Sequence, residues 1–281
     1  TIAPVHLANF SKFSQLVAEK RYLLESLPRD GYAVVNYDDE VAREAARKTK
    51  ATIVPYGVMQ IEGAMRAQEV KVVEKDNRLG LYFKLLYQDT VTPAFVKDVL
   101  APHYMYSFLA AATVGMIYNL TPLEIVLGLE KFQALPAHFV YREGIGKSFL
   151  IDDTYNAAPL SMCSALKSLA DLPAHGRKMA VLADMLDLGS YEGQGHKEVG
   201  VCAGKLSLDM LVTYGTRAKI IGEYAHLTGM KKKQMRHFAS QDELTAFLKE
   251  TIREGDVVLV KGSRAMAMER VIAALEPGNF V

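Results

Sequence analysis

The second half of the chain alternates between apolar, strand-like runs and helix-like stretches, and this rhythm limits the fold more than any other feature. Parallel strands need crossover connections, which helices usually supply, so the alternation predicts a largely parallel sheet covered by helices. The predicted strands are SFLIDD, KMAVLADM, DMLVTYG, MRHFA and DVVLVKG. The helices predicted after them cover residues 159–171, 193–205, 216–227, 241–253 and 264–275. We therefore expect an α/β domain here.

The first half has a different pattern. Apolar spacing predicts a helix over residues 12–27, and the runs YAVVNYDD and ATIVPYGV predict short buried strands. Alternation over residues 59–90, with KDNRLG within it, predicts antiparallel hairpins. Two more helices are predicted at YSFLAAATVGMIY and TPLEIVLGLEKF, the second with the Thr121 and Glu124 spacing of a capping box. We place the domain boundary so that residues 1–134 and 135–281 form separate domains.

The overall composition excludes several classes of protein. The 281 residues are half hydrophobic and carry a net charge of +1, so we expect neither nucleic acid nor membrane as a partner. The two cysteines have no metal-ligand spacing and fit a reducing compartment. The sequence shows no apolar run of membrane-spanning length and no signal peptide. We predict a cytoplasmic protein.

The segment GIGKS, residues 144–148, imitates the end of a phosphate-binding loop. Tyr141 occupies the position of the loop's first glycine, and the segment precedes a strand instead of joining a strand to a helix. Phosphate binding requires free backbone N–H groups at a helix N-terminus, which such a position does not offer. We predict that this segment forms a hairpin turn.

Polar clusters follow three of the predicted strands, at the edge where ligands bind in parallel α/β sheets. They are Asp152 with Asp153, then Asp184, and then the run Lys261, Gly262, Ser263 and Arg264. In LIDDTYNAAP, Asp153 or Asn156 could cap the following helix or could face a ligand. The residues of VKGSRAM could bind a carboxylate or phosphate at a helix start or could form an ordinary turn.

Lys20, His6 and His196 could each have either a structural or a functional role. Lys20 falls on the apolar face of the first predicted helix, where it could extend to the surface or, if carbamylated, become an anion that holds Mg²⁺. His6, in the loop before that helix, could be a neighbouring metal ligand. His196 lies near the start of a predicted helix and could be a capping or surface histidine or a functional one.

Four stretches together resemble the C-terminal domain of the Mur ligases, namely LIDDTYNAAPLSM, AVLADMLDLG, HKEVG and GDVVLVKGSRAMAMERVI. They are most similar to the branch that adds D-alanyl-D-alanine to UDP-N-acetylmuramoyl-tripeptide. The stretch from Thr1 to Asp39 resembles the second half of the family's central ATPase domain. The resemblance implies a Rossmann-like C-terminal domain with a mostly parallel sheet, preceded by the second half of a central α/β ATPase domain.

The resemblance also implies a mechanism and a set of site residues. ATP phosphorylates the peptide carboxylate, the amine of D-alanyl-D-alanine attacks the acyl phosphate, and Mg²⁺ ions offset the phosphate charges. By position, Lys20 matches the family's carbamylated lysine, and His6 matches its metal-site histidine. The residues implied at the nucleotide are Asp153, Tyr155, Asn156, His103 and His138. Those implied at the amino-acid substrate are Lys261, Ser263 and Arg264, with His196 a recurrent family histidine that we group with them.

The chain departs from the family pattern at several nucleotide contacts. Tyr104 and Ser107 replace two asparagines, His138 stands where an arginine would contact ATP, Ala158 replaces an asparagine and Ala183 replaces a glycine. The family's UDP-sugar-binding domain and its GKT phosphate loop are absent from the sequence. We expect both to lie upstream of Thr1, so that the chain is a fragment and by itself inactive.

Three functions remain open from the sequence. The chain could belong to a D-alanyl-D-alanine-adding ligase that acts as a monomer on the UDP-linked peptide, as the retained Lys20, His6, Asp153 and Lys261 favour. It could instead be a ligase-derived binding module without catalysis, as the substituted contacts favour. It could also belong to an amide ligase of the same family with another amino-acid substrate.

Overall fold

A computed structural model describes residue 2 and residues 12–59, 65–76 and 78–278 of the chain. These residues divide into two compact units, with the division between Gln133 and Ala134. Within the described ranges, none of the helices combines the length and apolar character needed to cross a membrane.

The first unit is a five-stranded sheet with four helices. Its elements are α1 (Phe13–Glu25), β1 (Tyr32–Asn36), α2 (Glu40–Ala46), β2 (Thr52–Gly57), β3 (Met65–Lys75), β4 (Arg78–Tyr87), β5 (Thr90–Lys97), α3 (Tyr104–Ile117) and α4 (Pro122–Leu129). The strands follow in the order β1-β2-β3-β4-β5. The pairs from β1 to β3 are parallel, and those from β3 to β5 are antiparallel, which confirms the predicted hairpins.

The antiparallel strands and α3 enclose the core of this unit. Phe83 on β4 and Phe108 on α3 are fully buried, with ring centroids 6.0 Å apart. The predicted capping box starts α4, because Thr121 accepts the Glu124 N–H while the Glu124 carboxylate accepts the Thr121 N–H. The short helix α2 was not predicted; Asp39 caps it by accepting the Ala42 N–H.

The second unit has the predicted strand–helix alternation. Its elements are β6 (Val140–Gly144), β7 (Ser148–Asp153), α5 (Pro159–Asp171), β8 (Lys178–Ala183), α6 (Glu192–Gly204), β9 (Met210–Tyr214), α7 (Lys219–Leu227), β10 (Met235–Phe238), α8 (Gln241–Thr251), β11 (Val257–Lys261) and α9 (Glu269–Leu275). The strand order is β10-β9-β8-β11-β7-β6, and only the pair β6–β7 is antiparallel. The mixed α/β class with a largely parallel sheet is confirmed.

The position of β11 between β7 and β8 determines where the polar clusters meet. In register, Lys261 at the end of β11 lies opposite Asp153 on β7 and Leu182 on β8. The carboxyl ends of these strands therefore form one edge of the sheet. The core beneath consists of residues such as Leu150, Val181 and Val260, all fully buried.

Two details of the second unit bear on the sequence analysis. GIGKS forms the turn between β6 and β7, with Gly146 in the left-handed region (φ 62°), as predicted. The last helix begins at Glu269 and not at Arg264, which corrects the prediction. A short 3₁₀ turn at Arg264–Met266 and left-handed Ala267 (φ 49°) separate β11 from α9.

Candidate functional site

Lys261 and Asp153 form an ion pair at the carboxyl edge of the sheet in the second unit. The Lys261 Nζ lies 2.7 Å from the Asp153 carboxylate and donates to the Asn156 carbonyl at 2.9 Å. The two side chains are 4% and 13% exposed. A buried ammonium is tolerated where a carboxylate and a carbonyl replace its hydration. Lys261 therefore holds the loop after β7 against the end of β11.

Asp152, the first of the two adjacent acids, has different partners from Asp153. Its carboxylate accepts the N–H and the hydroxyl of Thr154, at 3.3 and 2.7 Å, and pairs with Arg142 Nε at 3.1 Å. Arg142 also pairs with Glu276 at 2.9 Å. Asp152 is buried and shapes the turn that follows β7. The sequence alone does not show that Asp152 and Asp153 bind different partners.

The start of α5 decides between capping and ligand binding for the LIDDTYNAAP loop. The N-cap residue is Ala158, whose N–H donates to Ser161 Oγ at 3.1 Å. The Asn156 side chain accepts only the N–H of its neighbour Ala157, at 2.8 Å. Capping by Asp153 or Asn156, one of the two readings of the sequence, is therefore wrong. Asn156 and Tyr155 are both exposed.

The half-buried His138 and the exposed Tyr155 form an aromatic surface beside this loop. Their ring centroids lie 4.5 Å apart with an interplanar angle of 29°, and the Tyr155 N–H donates to the Ala137 carbonyl at 3.1 Å. Tyr155 is 53% exposed. The sequence analysis named both residues for the nucleotide but did not predict their contact. A stacked pair of rings that is partly open to solvent suits a planar, partly apolar ligand.

Ser263 joins the ends of β8 and β11 by two hydrogen bonds. Its N–H donates to the Asp184 carbonyl at 3.1 Å, and its hydroxyl accepts the Leu186 N–H at 2.8 Å. Ser263 is buried, whereas the Arg264 side chain is 64% exposed and lies 3.5 Å from Glu269. Since α9 starts only at Glu269, the residues of VKGSR precede a 3₁₀ turn and not an α-helix. Arg264 remains an accessible guanidinium at the same edge.

Asp184 and Arg217 add a second charged cluster that the sequence analysis missed in part. The buried Asp184 carboxylate accepts the N–H groups of Arg217 and Ala218, at 3.0 and 2.6 Å. The Arg217 guanidinium pairs with Glu192 at 2.6 Å and reaches Asp184 at 3.8 Å, and its side chain is 40% exposed. Arg217 follows the end of β9. The rule that ligands bind beyond the carboxyl ends of parallel strands could therefore have identified it from the sequence.

His196 is fully buried and uses both ring nitrogens on the backbone. Its Nε2 accepts the Met185 N–H at 3.0 Å, and its Nδ1 donates to the Glu192 carbonyl at 2.7 Å. Neither nitrogen faces solvent in this arrangement. The ring orders the segment after β8, and the geometry gives it a positioning task instead of the predicted substrate contact.

The candidates in the first unit are less closely grouped. Lys20 is exposed on α1, where Leu16 is the buried side chain, so Lys20 extends to the surface, which is one of its two readings from the sequence. His6 lies outside the described residues. Within the described ranges there is no group of three His, Cys, Asp or Glu residues that could hold a metal ion.

His103 and the two substituted asparagine positions lie at α3. The exposed His103 ring stacks on Tyr104 at 5.3 Å, and Tyr104 packs against Phe108 and Phe132, with centroids 6.1 and 5.4 Å away. Ser107 lines an open, mostly apolar groove of about 430 Å³ between α3 and α4. Tyr104 is thus a packing residue of the first unit.

Comparison with known families matches both parts of the chain. Residues 1–115 match the Mur ligase middle domain, and residues 139–264 match the Mur ligase, glutamate ligase domain. The matched ranges agree with the two compact units.

Individual relatives cover nearly the whole chain. The UDP-N-acetylmuramoyl-tripeptide--D-alanyl-D-alanine ligase of Bacillus subtilis is 26% identical over 98% of the chain, and that of Escherichia coli is 28% identical over 98%. The chain spans 57% and 58% of the length of these relatives.

Solved structures have the same fold. MurF from Acinetobacter baumannii matches 97% of the chain, with a TM-score of 0.81 and 24% identity. A MurF ligase from Thermotoga maritima in complex with ADP matches 97%, with a TM-score of 0.82 and 22% identity. The chain covers 57% and 59% of these two structures.

Proposed function

Because the chain belongs to the Mur ligase family, we propose that it is the part of an ATP-dependent ligase that adds D-alanyl-D-alanine to UDP-N-acetylmuramoyl-tripeptide. One observation carries this proposal: relatives bearing that activity in their names align with 98% of the chain. The reaction would convert the peptide carboxylate to an acyl phosphate, which the amine of the dipeptide then attacks. It belongs to precursor synthesis for peptidoglycan.

We propose that the surface of His138, Tyr155 and Asn156 contacts ATP. The stacked rings offer a face for a planar base, and the exposed Asn156 amide offers hydrogen-bond donors beside it. The complex of a MurF ligase with ADP supports a nucleotide as the ligand of this fold. Asp153 would act through Lys261, because their ion pair fixes the loop that carries Tyr155 and Asn156.

Arg264 is the strongest candidate among the predicted residues for contact with the amino-acid substrate, because its side chain is exposed. Arg264 is accessible and can bind a carboxylate through two parallel N–H···O bonds, whereas Lys261 and Ser263 are buried and engaged. We therefore propose that Arg264 receives the dipeptide carboxylate and that Lys261 and Ser263 hold its loop. His196 would position the neighbouring loop after β8.

We propose Lys20 and His6 as the residues of this chain that would bind Mg²⁺. An exposed lysine is accessible to carbon dioxide, so Lys20 can be carbamylated without a change in packing. The carbamate would supply oxygen ligands, which Mg²⁺ prefers. A ¹³C-bicarbonate NMR signal that disappears in Lys20→Arg would support the modification; the same signal in both proteins would contradict it.

A second candidate, a binding module without catalysis, is favoured by Tyr104. Its ring packs in the first unit at a position where the family pattern has an asparagine amide. A protein that no longer uses an asparagine amide to bind ATP could have tyrosine at this position.

Phosphate release distinguishes these functions. The natural protein that contains this chain is incubated with ATP, Mg²⁺, UDP-N-acetylmuramoyl-tripeptide and one of a panel of amino acids and dipeptides. We expect release that requires the tripeptide and is fastest with D-alanyl-D-alanine. Release with another amine alone would indicate a different ligase, and no release with any amine would favour the binding module.

A further inference from the structure

The two cysteines of the chain lie on adjacent, closely packed helices. Cys163 is on α5 and Cys202 is on α6, and both side chains are partly exposed. The Cys202 Sγ lies 3.9 Å from the Cys163 carbonyl oxygen, so its sulfur reaches the backbone of α5. Gly195 permits this approach, because a Cβ there would lie 2.8 Å from the Pro159 ring.

The two thiols also differ in acidity, because each changes the pKa of the other. The hydrogen bond from Cys163 is the largest cause that lowers the pKa of Cys202 to about 7, with Lys167 on α5 and Lys205 after α6 acting in the same direction against burial. The same hydrogen bond, burial and Glu198 on α6 raise the pKa of Cys163. Cys202 is therefore the thiol of the pair that loses its proton more easily.

We propose that Cys163 and Cys202 form an oxidisable pair that a peroxide closes into an intramolecular disulfide joining α5 to α6. The Cys202 thiolate attacks one peroxide oxygen, the O–O bond breaks, and the hydroxide released takes a proton to become water. Cys202 is then a sulfenic acid. Cys163 loses its proton, its sulfur attacks the Cys202 sulfur, and the S–O bond breaks with release of a second water. One peroxide is reduced and two thiols are oxidised.

The disulfide would restrain the two loops that follow β7 and β8 at the carboxyl edge of the sheet. Helix α5 begins directly after the loop of Tyr155 and Asn156, and α6 carries the buried His196. A bond between the helices therefore ties two loop-bearing elements together. This inference does not depend on the ligase activity, since the geometry of the two helices carries it.

Mass spectrometry of the full chain tests the pair. With an equimolar amount of hydrogen peroxide at pH 7, we expect wild-type protein to lose two hydrogens and to give one cross-linked peptide containing Cys163 and Cys202. Dithiothreitol should reverse both changes, and the melting temperature should be higher for the oxidised protein.

Serine variants separate the two roles. In Cys163→Ser, dimedone should trap a sulfenic acid at Cys202; in Cys202→Ser, the remaining thiol should react roughly tenfold more slowly. Oxygen addition without a cross-linked peptide, disulfide-linked dimers alone, or two unreacted thiols in wild-type protein would overturn the proposal. Should a variant fail to fold, the wild-type cross-link decides the matter.

Discussion

At the sheet edge, the adjacent acids Asp152 and Asp153 bind different partners and have different structural roles. Asp152 is turned into the loop and satisfies Thr154 and Arg142, whereas Asp153 pairs with Lys261. The sequence indicated that this pair of acids lies at a strand end. It could not assign the partner of Asp153, because Lys261 lies on β11, distant in the chain, and only the sheet order brings it beside β7.

Removing the Lys261 ammonium should destabilise the second unit. In Lys261→Met, the Asp153 carboxylate and the Asn156 carbonyl lose their partner, which we expect to lower the free energy of unfolding by about 3 kcal/mol. Adding Asp153→Asn should recover part of that loss, as urea denaturation in a double-mutant cycle would measure. Arg264→Ala, which removes an exposed pair, serves as the control at less than ~0.5 kcal/mol. Equal losses for Lys261→Met and the control would contradict this account.

Asp256 contributes to the stability of the folded state in a pH-dependent way, and the lowered pKa of its carboxyl fixes the sign of that dependence. Burial raises the pKa of its carboxyl, but hydrogen bonds from the Arg177 side chain and the Arg177 and Arg253 N–H groups outweigh burial and leave the pKa lowered. A lowered pKa stabilises the folded state above the unfolded value of about 4, and that contribution is lost as pH falls through the folded value.

We therefore expect Asp256→Asn to cost about 3 kcal/mol at pH 7 and progressively less below about pH 4. Urea denaturation at several pH values measures the difference from wild-type protein. The exposed Asp242→Asn is the matched control and should cost at most ~0.5 kcal/mol. A difference that grows as pH falls would have the wrong sign.

At the scale of elements, local patterns predicted most helices and strands. Apolar runs gave the strands of the parallel sheet, and α5 begins and ends where its Pro159 and apolar spacing predicted. The beginning of α9 was wrong because left-handed Ala267 interrupts a helical pattern, and no residue type marks that conformation there. Such a backbone position depends on tertiary packing that periodicity does not contain.

The connection between β9 and α7 should tolerate no side chain at Gly215. Its φ is 107°, and a Cβ would lie 2.5 Å from the Asp184 carboxylate, which holds the following N–H groups. We expect Gly215→Ala to cost about 3 kcal/mol by thermal or urea unfolding. Gly193→Ala on α6 has no neighbour within 4 Å and should instead be neutral or stabilising by up to ~1 kcal/mol. Similar effects of the two changes would contradict the described loop geometry.

For the whole molecule, the chain contains two units of one ligase family but no phosphate-binding loop in its sequence. Residues that could touch a nucleotide were recognisable from motifs, yet the His138–Tyr155 stack and the buried state of Ser263 required the fold. We expect the 281-residue chain alone to release no phosphate from ATP, because its sequence has no GKT loop of the kind that holds the β- and γ-phosphates. Steady release by the purified chain, above a boiled control, would show that the chain holds these phosphates without a GKT loop.

The most direct test of the proposed ligase activity is the mass of the product. The natural protein that contains this chain is incubated with ATP, Mg²⁺, UDP-N-acetylmuramoyl-tripeptide and D-alanyl-D-alanine, and the UDP-linked species is analysed by mass spectrometry. We predict a UDP-linked pentapeptide that forms only when ATP and both substrates are present. An unchanged UDP-linked tripeptide, with a protein that is folded and binds ATP, would contradict the proposed function.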